Sequence, residues 1–109
     1  MRIIILTLIL LLPASIYAQE FSDSQIADAI KKTENSKKYP YGIKSINTYG
    51  NEAYARQICL NSIRKAKKRW EAAGKPEDFI SYMGKRYAPP TQNPNWVRLV
   101  HYFLEKEAK

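Results

Sequence analysis

Glu34 is the one carboxylate in KKTENSKKYPYGIKSIN, residues 31 to 47, with lysines on both sides and a Pro-Tyr-Gly turn behind it. Ile26, Ile30 and Glu34 fall at i, i+4 and i+8, which sets them along one face of a helix. Glu34 therefore continues an apolar stripe instead of opposing it, and its body should lean on the edge of the core at the helix C-terminus. Loss of hydration and the negative end of the helix dipole both push a carboxyl pKa up. A carboxyl that keeps its proton near neutrality is what a general acid requires. Lys37 and Lys38 oppose that shift wherever they come close. The plainer alternative is a surface glutamate paired with Lys31 or Lys38, an arrangement that contributes little.

Other chemistry-bearing residues are sparse. A hydrolase acting on a glycosidic bond normally uses two carboxylates. Glu52 and Asp78 are the candidates for the second, although both fall in first turns of predicted helices, where the dipole already accounts for them. Cys59 is the only cysteine and His101 the only histidine. One of each falls short of a zinc set, no intrachain disulfide can form, and a Cys-His nucleophile pair has no supporting motif. Neither a phosphate loop nor a G-x-S-x-G elbow occurs. No metal and no cofactor is expected. Eight tyrosines and two tryptophans are candidates for a sugar-binding groove. Tyr41 and Tyr87, in loops beside Gly42 and Pro89, suit that role, because functional residues concentrate in loops. Trp70 and Trp96 lie on helical stripes and read first as core.

Four helices must position these groups. The first spans Ser24 to about Glu34, capped by Ser22 or Asp23, with Ile26, Ala27 and Ile30 inward and Asn35 at its end. The second runs from Asn51 to Ala73. Its inward positions include Ala55, Ile58, Cys59, Ile63, Ala66 and Trp70, and Arg64 to Arg69 form a basic outer face. The third is predicted over Pro76 to Met83, ended by Gly84. The fourth runs from about Pro94 to Glu105 with Asn93 as its cap, its stripe being Trp96, Val97, Val100, Phe103 and Leu104. Between the first two, residues 37 to 50 read as a short irregular hairpin, with a turn at Pro40 and Gly42. Pro89-Pro90 excludes helix between the last two. The fold class expected is mainly α, about four helices with one small hairpin.

The chain has 109 residues, so a single domain is expected. Arg2, the apolar run Ile3 to Leu12, Pro13 and the small residue Ala18 form the pattern of a cleavable signal peptide over residues 1 to 18. The run is too short for a good membrane span. Residues 19 to 109 would then be one secreted or periplasmic domain, a monomer. Without Arg2, the leader's one cation, 17 Lys and Arg stand against 10 Asp and Glu, a net charge of +7. An exported basic protein meets little nucleic acid. Anionic envelope polymers are its natural electrostatic partners.

Residues 26 to 46, IADAIKKTENSKKYPYGIKSI, resemble the catalytic segment of the lysozyme-like superfamily, lytic transglycosylases in particular. In that pattern a helix ends in a catalytic Glu, commonly followed by Ser, and a turn leads to a strand of the form G-[LI]-x-Q-[IL]. Glu34-Asn35-Ser36 and Gly42-Ile43-Lys44-Ser45-Ile46 stand in those places. Trp96-Val97-Arg98-Leu99-Val100 is similar to the aromatic-Val-x-x-Val helix near the end of such domains. Pro40-Tyr41-Gly42-Ile43, Cys59-Leu60-Asn61-Ser62-Ile63, Arg86-Tyr87-Ala88-Pro89 and Asn95-Trp96 also resemble the pattern of small secreted and phage-associated proteins of this superfamily.

The resemblance implies a lysozyme-like domain that cleaves the glycan strand of peptidoglycan, as a lytic transglycosylase or a muramidase, with Glu34 as general acid/base. Tyr41, Gly42, Ile43 and Ser45 would border the cleavage subsite, and Tyr87, Asn95 and Trp96 would form the opposite wall. Ser45 stands where the family carries Gln, and it reaches less far. Ala88 stands where some relatives carry Cys, which leaves Cys59 unpaired. In transglycosylation one Glu suffices: it protonates the glycosidic oxygen, then takes the proton of a muramic acid hydroxyl that closes on its own anomeric carbon. Two alternatives are a basic envelope protein that binds glycan or lipid without cutting it, and an adaptor or inhibitor docked on another envelope protein.

Overall fold

A computed structural model describes residues 21 to 107. The expected leader, residues 1 to 18, lies outside the described residues. Four helices follow in order: α1 Asp23–Glu34, α2 Glu52–Ala72, α3 Phe79–Tyr87 and α4 Asn93–Glu107. The chain is mainly helical. No helix among the described residues is long and apolar enough to cross a membrane.

The helix ends follow from local side-chain chemistry. Ser22 caps α1 through a reciprocal box: its hydroxyl accepts from the Gln25 N–H at 3.1 Å, and the Gln25 side chain accepts from the Ser22 N–H at 2.8 Å. Asn35 closes α1 in the left-handed conformation, φ 45°, with its N–H on the Lys31 carbonyl. Asn51 caps α2 by accepting from the Tyr54 N–H at 3.0 Å. Pro94 sits in the first turn of α4, where its missing N–H has no intrahelical partner to lose.

The third helix departs from expectation. It runs from Phe79 to Tyr87 instead of Pro76 to Met83. Asp78 is its N-cap, accepting from the Ser81 N–H at 3.1 Å, so residues 76 to 78 precede the helix. Gly84 does not end it. Gly84 is buried mid-helix, and a Cβ there would stand 2.8 Å from Val97 Cγ2 and 3.1 Å from the Trp96 ring. The glycine lets α3 approach α4 closely.

The expected hairpin is also absent: the described residues contain no strand. Residues 36 to 51 make local turn bonds instead, the Gly42 N–H to the Tyr39 carbonyl at 2.8 Å and the Asn51 N–H to the Thr48 carbonyl at 2.8 Å. Side chains help, Ser36 accepting from the Tyr39 N–H and Asn47 from the Tyr49 N–H. Local turns of this kind leave no ladder for a partner strand to join.

α1 and α3 each pack against both long helices, α2 and α4. Their apolar faces make one core: Ile26 and Ile30 of α1, Cys59 and Ile63 of α2, Met83 of α3, and Trp96, Val100 and Leu104 of α4. Full burial of one isoleucine such as Ile30 contributes about 1.5–3 kcal/mol. Tyr41 joins this core from the α1–α2 connection. The consequence for function is positional. The last turn of α1 ends beside the first turns of α4, with the turn at 39 to 42 folded back beneath it.

Candidate active site

Glu34 is the last residue of α1 and is half-buried. The two isoleucines of its column, Ile26 and Ile30, are 2% and 0% exposed, so the column does descend into the core. Two groups from elsewhere in the chain meet its carboxyl. The Trp96 indole N–H donates to Oε2 at 3.1 Å. From the other side Gly42, at φ 73°, brings its backbone under the carboxyl, and a Cβ there would lie 2.6 Å from both Cδ and Oε2. Only glycine accepts both that conformation and that contact.

Burial raises the Glu34 pKa above the ordinary glutamate value. The Trp96 N–H and the positive charge of Lys44 pull it down, and burial prevails. Among the described residues Glu34 belongs to no ion pair. The lysines that would have made it an ordinary surface acid are engaged elsewhere: Lys31 pairs with Glu52 at 2.7 Å, and the Lys38 ammonium lies 5.5 Å from the centre of the Tyr39 ring.

The carboxyl borders an open groove of about 340 Å³. Thr33 and Glu34 line it from α1, and Thr91, Gln92, Asn95, Trp96 and Leu99 from α4 and the residues just before it. Asn95 holds its side-chain oxygen to the Arg98 guanidinium at 2.6 Å. Its side-chain NH2 has no protein partner among the described residues.

Tyr87 stands behind this wall. Its ring packs on that of Trp96, centroids 5.4 Å apart and planes inclined by 34°. Its hydroxyl donates to the Tyr41 carbonyl, and the Cys59 sulfur lies 3.6 Å away. Burial pushes the Tyr87 phenol well above its usual range and the Cys59 thiol up to about 11. Cys59 is therefore a neutral thiol in the core, not a nucleophile.

Several expected site residues are placed differently. Tyr41 is no groove wall: it is 1% exposed, and its hydroxyl accepts from Arg56 Nη1 at 3.1 Å. The ring packs into the core although its residue sits in a connection between helices. Tyr87 acts through Trp96 and does not line the Glu34 groove. Ile43 packs against the core, and Ser45 is exposed and outside the groove. Without a strand in this segment, nothing aims Ser45 at the carboxyl. Gly42 and Trp96 do meet at Glu34, Asn95 lines the same groove, and Trp96 is at once core and site.

Neither candidate for a second carboxylate reaches Glu34. Glu52 is held by Lys31. Asp78 accepts from the Ser81 hydroxyl at 2.6 Å and faces His101 Nε2 at 2.8 Å. Burial works to raise its pKa, but the Ser81 bonds and His101 together outweigh it and hold it below the usual aspartate value.

Thr33, Thr91, Gln92 and Leu99 were not among the expected site residues. Gln92, Asn95, Trp96 and Leu99 follow helical spacing, a signal that marks one face of α4. No group of three or more His, Cys, Asp and Glu side chains suited to a metal ion occurs among the described residues. Comparison with protein-family models, with curated proteins and with solved structures finds no match.

Proposed function

We propose that this chain cleaves the glycan strand of peptidoglycan, with Glu34 as the general acid/base, in the periplasm or outside the cell. One observation carries the reading. Glu34 is a half-buried carboxyl at the rim of an open groove, held by an indole N–H and not by a cation. Burial keeps the proton on it to higher pH, as an acid catalyst needs. The Trp96 N–H stabilises the carboxylate left after that proton is given away.

The chemistry follows from one carboxyl. Glu34 donates its proton to the glycosidic oxygen, and the bond from that oxygen to the anomeric carbon breaks. The Glu34 carboxylate then accepts the proton of a hydroxyl on the same muramic acid ring, whose oxygen bonds to the anomeric carbon. The glutamate ends protonated, as it began. Proximity within the sugar replaces an activated water. With Glu52 and Asp78 committed elsewhere, this intramolecular route is favoured over hydrolysis, which would call on a second carboxylate.

A second reading is a basic envelope protein that binds the strand without turnover. The exposed position of Ser45 outside the groove favours it, since its hydroxyl then does not hold the sugar beside Glu34. Mass spectrometry of muropeptides released from purified sacculi separates the readings. Anhydro ends mark transglycosylation and reducing ends mark hydrolysis. Sacculus binding with no release marks the binder.

A further inference from the structure

A second groove, of about 300 Å³, runs between α2 and α3 and shares no lining residue with the Glu34 groove. From α2 it takes Ser62, Lys65, Ala66 and Arg69, which follow i, i+3, i+4 and i+7 along one face. Across from them α3 presents Tyr82, Met83, Arg86 and Tyr87. Lys65, Arg69 and Arg86 belong to no ion pair among the described residues. Their neighbours on the same helices do: Lys67 pairs with Asp23 at 2.6 Å and Lys85 with Glu77 at 2.6 Å. The groove thus collects three cations without a counter-charge, above a floor that includes the buried Ala66 and Met83.

Three positive groups exceed what a single carboxylate can neutralise. A phosphomonoester carries a charge of about −1.5 to −2 at neutral pH and three acceptor oxygens. Guanidinium forks such as those of Arg69 and Arg86 bind such oxygens in pairs of hydrogen bonds. The apolar floor and the Tyr82 ring suit a carrier with C–H faces, and the Ser62 hydroxyl suits one with hydroxyls. The volume lies at the small end of ligand pockets.

We propose that the α2–α3 groove is a binding site for a phosphorylated sugar, with the phosphate among Lys65, Arg69 and Arg86 and the ring over Ala66 and Met83 against Tyr82. The site does not use the Glu34 carboxyl, which lines the other groove, so Glu34→Gln binds the ligand as the wild type does. The test is an NMR titration of the protein with N-acetylglucosamine 1-phosphate, N-acetylglucosamine and inorganic phosphate. Saturable shifts at Lys65, Arg69, Arg86 and Tyr82 are expected with the sugar phosphate, weaker binding with inorganic phosphate, and none with the neutral sugar. Arg69→Gln and Arg86→Gln, both at exposed positions, should each weaken binding by about tenfold. Lys68→Gln, an exposed position of α2 outside the groove, should not. Phosphatidylcholine vesicles carrying a phosphorylated glycolipid distinguish a membrane source from a soluble one, and binding to either that Arg86→Gln weakens supports the site. Absence of saturable shifts, equal binding of inorganic phosphate, or equal weakening by Lys68→Gln would overturn the proposal.

Discussion

The indole N–H of Trp96 donates to Oε2 of Glu34 at 3.1 Å, joining the last residue of α1 to the start of α4. This bond makes a core residue part of the site. Trp96 is 5% exposed, so its ring is fixed by packing. The same packing fixes where the glutamate carboxyl points.

The Trp96–Glu34 hydrogen bond bears directly on the titration of the carboxyl. It favours the charged form of Glu34, so removing it should raise the Glu34 pKa further. Trp96→Phe keeps a ring and loses the donor. NMR titration of the Glu34 side-chain carboxyl should give a higher midpoint in the variant than in the wild type. An unchanged or lower midpoint would mean that the indole does not act on the carboxylate.

Burial also links Glu34 to stability. Its folded pKa is raised, so the folded state holds this proton more tightly than the unfolded chain. The associated stability is fully present below the ordinary glutamate value and is lost as pH rises through the folded pKa. Glu34→Gln does not titrate. Urea unfolding at a series of pH values should show the variant gaining on the wild type across that window, with a constant difference above it. A gain that shrinks with rising pH would contradict the sign of the shift.

Gly42→Ala tests the floor of the site. The residue must hold φ 73°, which costs a residue with a Cβ about 1–2 kcal/mol. Its Cβ would also stand 2.6 Å from the Glu34 carboxyl carbon. Unfolding free energies from denaturant titration should fall by at least that cost, and the Glu34 titration should move with the displaced carboxyl. Wild-type values of both would show that the turn is not packed under Glu34.

Gly84→Ala tests the approach of α3 to α4. Alanine in a helix gains about 1 kcal/mol over glycine from propensity alone. Against that gain, its Cβ meets Val97 Cγ2 at 2.8 Å, on a β-branched side chain with few alternative rotamers. Overpacking of this kind costs about 1–3 kcal/mol. Thermal or urea unfolding should therefore show a net loss. A net gain would show that the helices can part without cost.

Much of this arrangement was legible in the residues. The spacing of Ile26, Ile30 and Glu34 marks Glu34 as a continuation of the core face, because helical period alone decides it. Ser22, Asn35 and Asn51 bound their helices through bonds made within a few residues. What escaped depends on partners distant in sequence. Gly84 looks like a helix stop until Val97 and Trp96 pack across it. Tyr41 looks like a loop aromatic until Arg56 and Tyr87 claim its hydroxyl and its carbonyl. The alternating apolar residues 39, 41 and 43 suggest a strand, but among the described residues no second segment pairs with them, and the chain turns locally at Tyr39 to Gly42. The Glu34–Trp96 bond spans 62 positions, and only the packing of α1 on α4 creates it.

In the proposed function, Glu34 gives and takes the proton in glycan cleavage. The most direct test of that role is digestion of purified sacculi by wild type and Glu34→Gln in parallel, with the released muropeptides analysed by mass spectrometry. Gln keeps the shape and an acceptor oxygen for Trp96, and removes only the transferable proton. Wild type should release anhydro-ended muropeptides, and the variant should release them at least about a hundredfold more slowly. Equal release by both proteins would take Glu34 out of the mechanism, and no release by either would take away the activity itself.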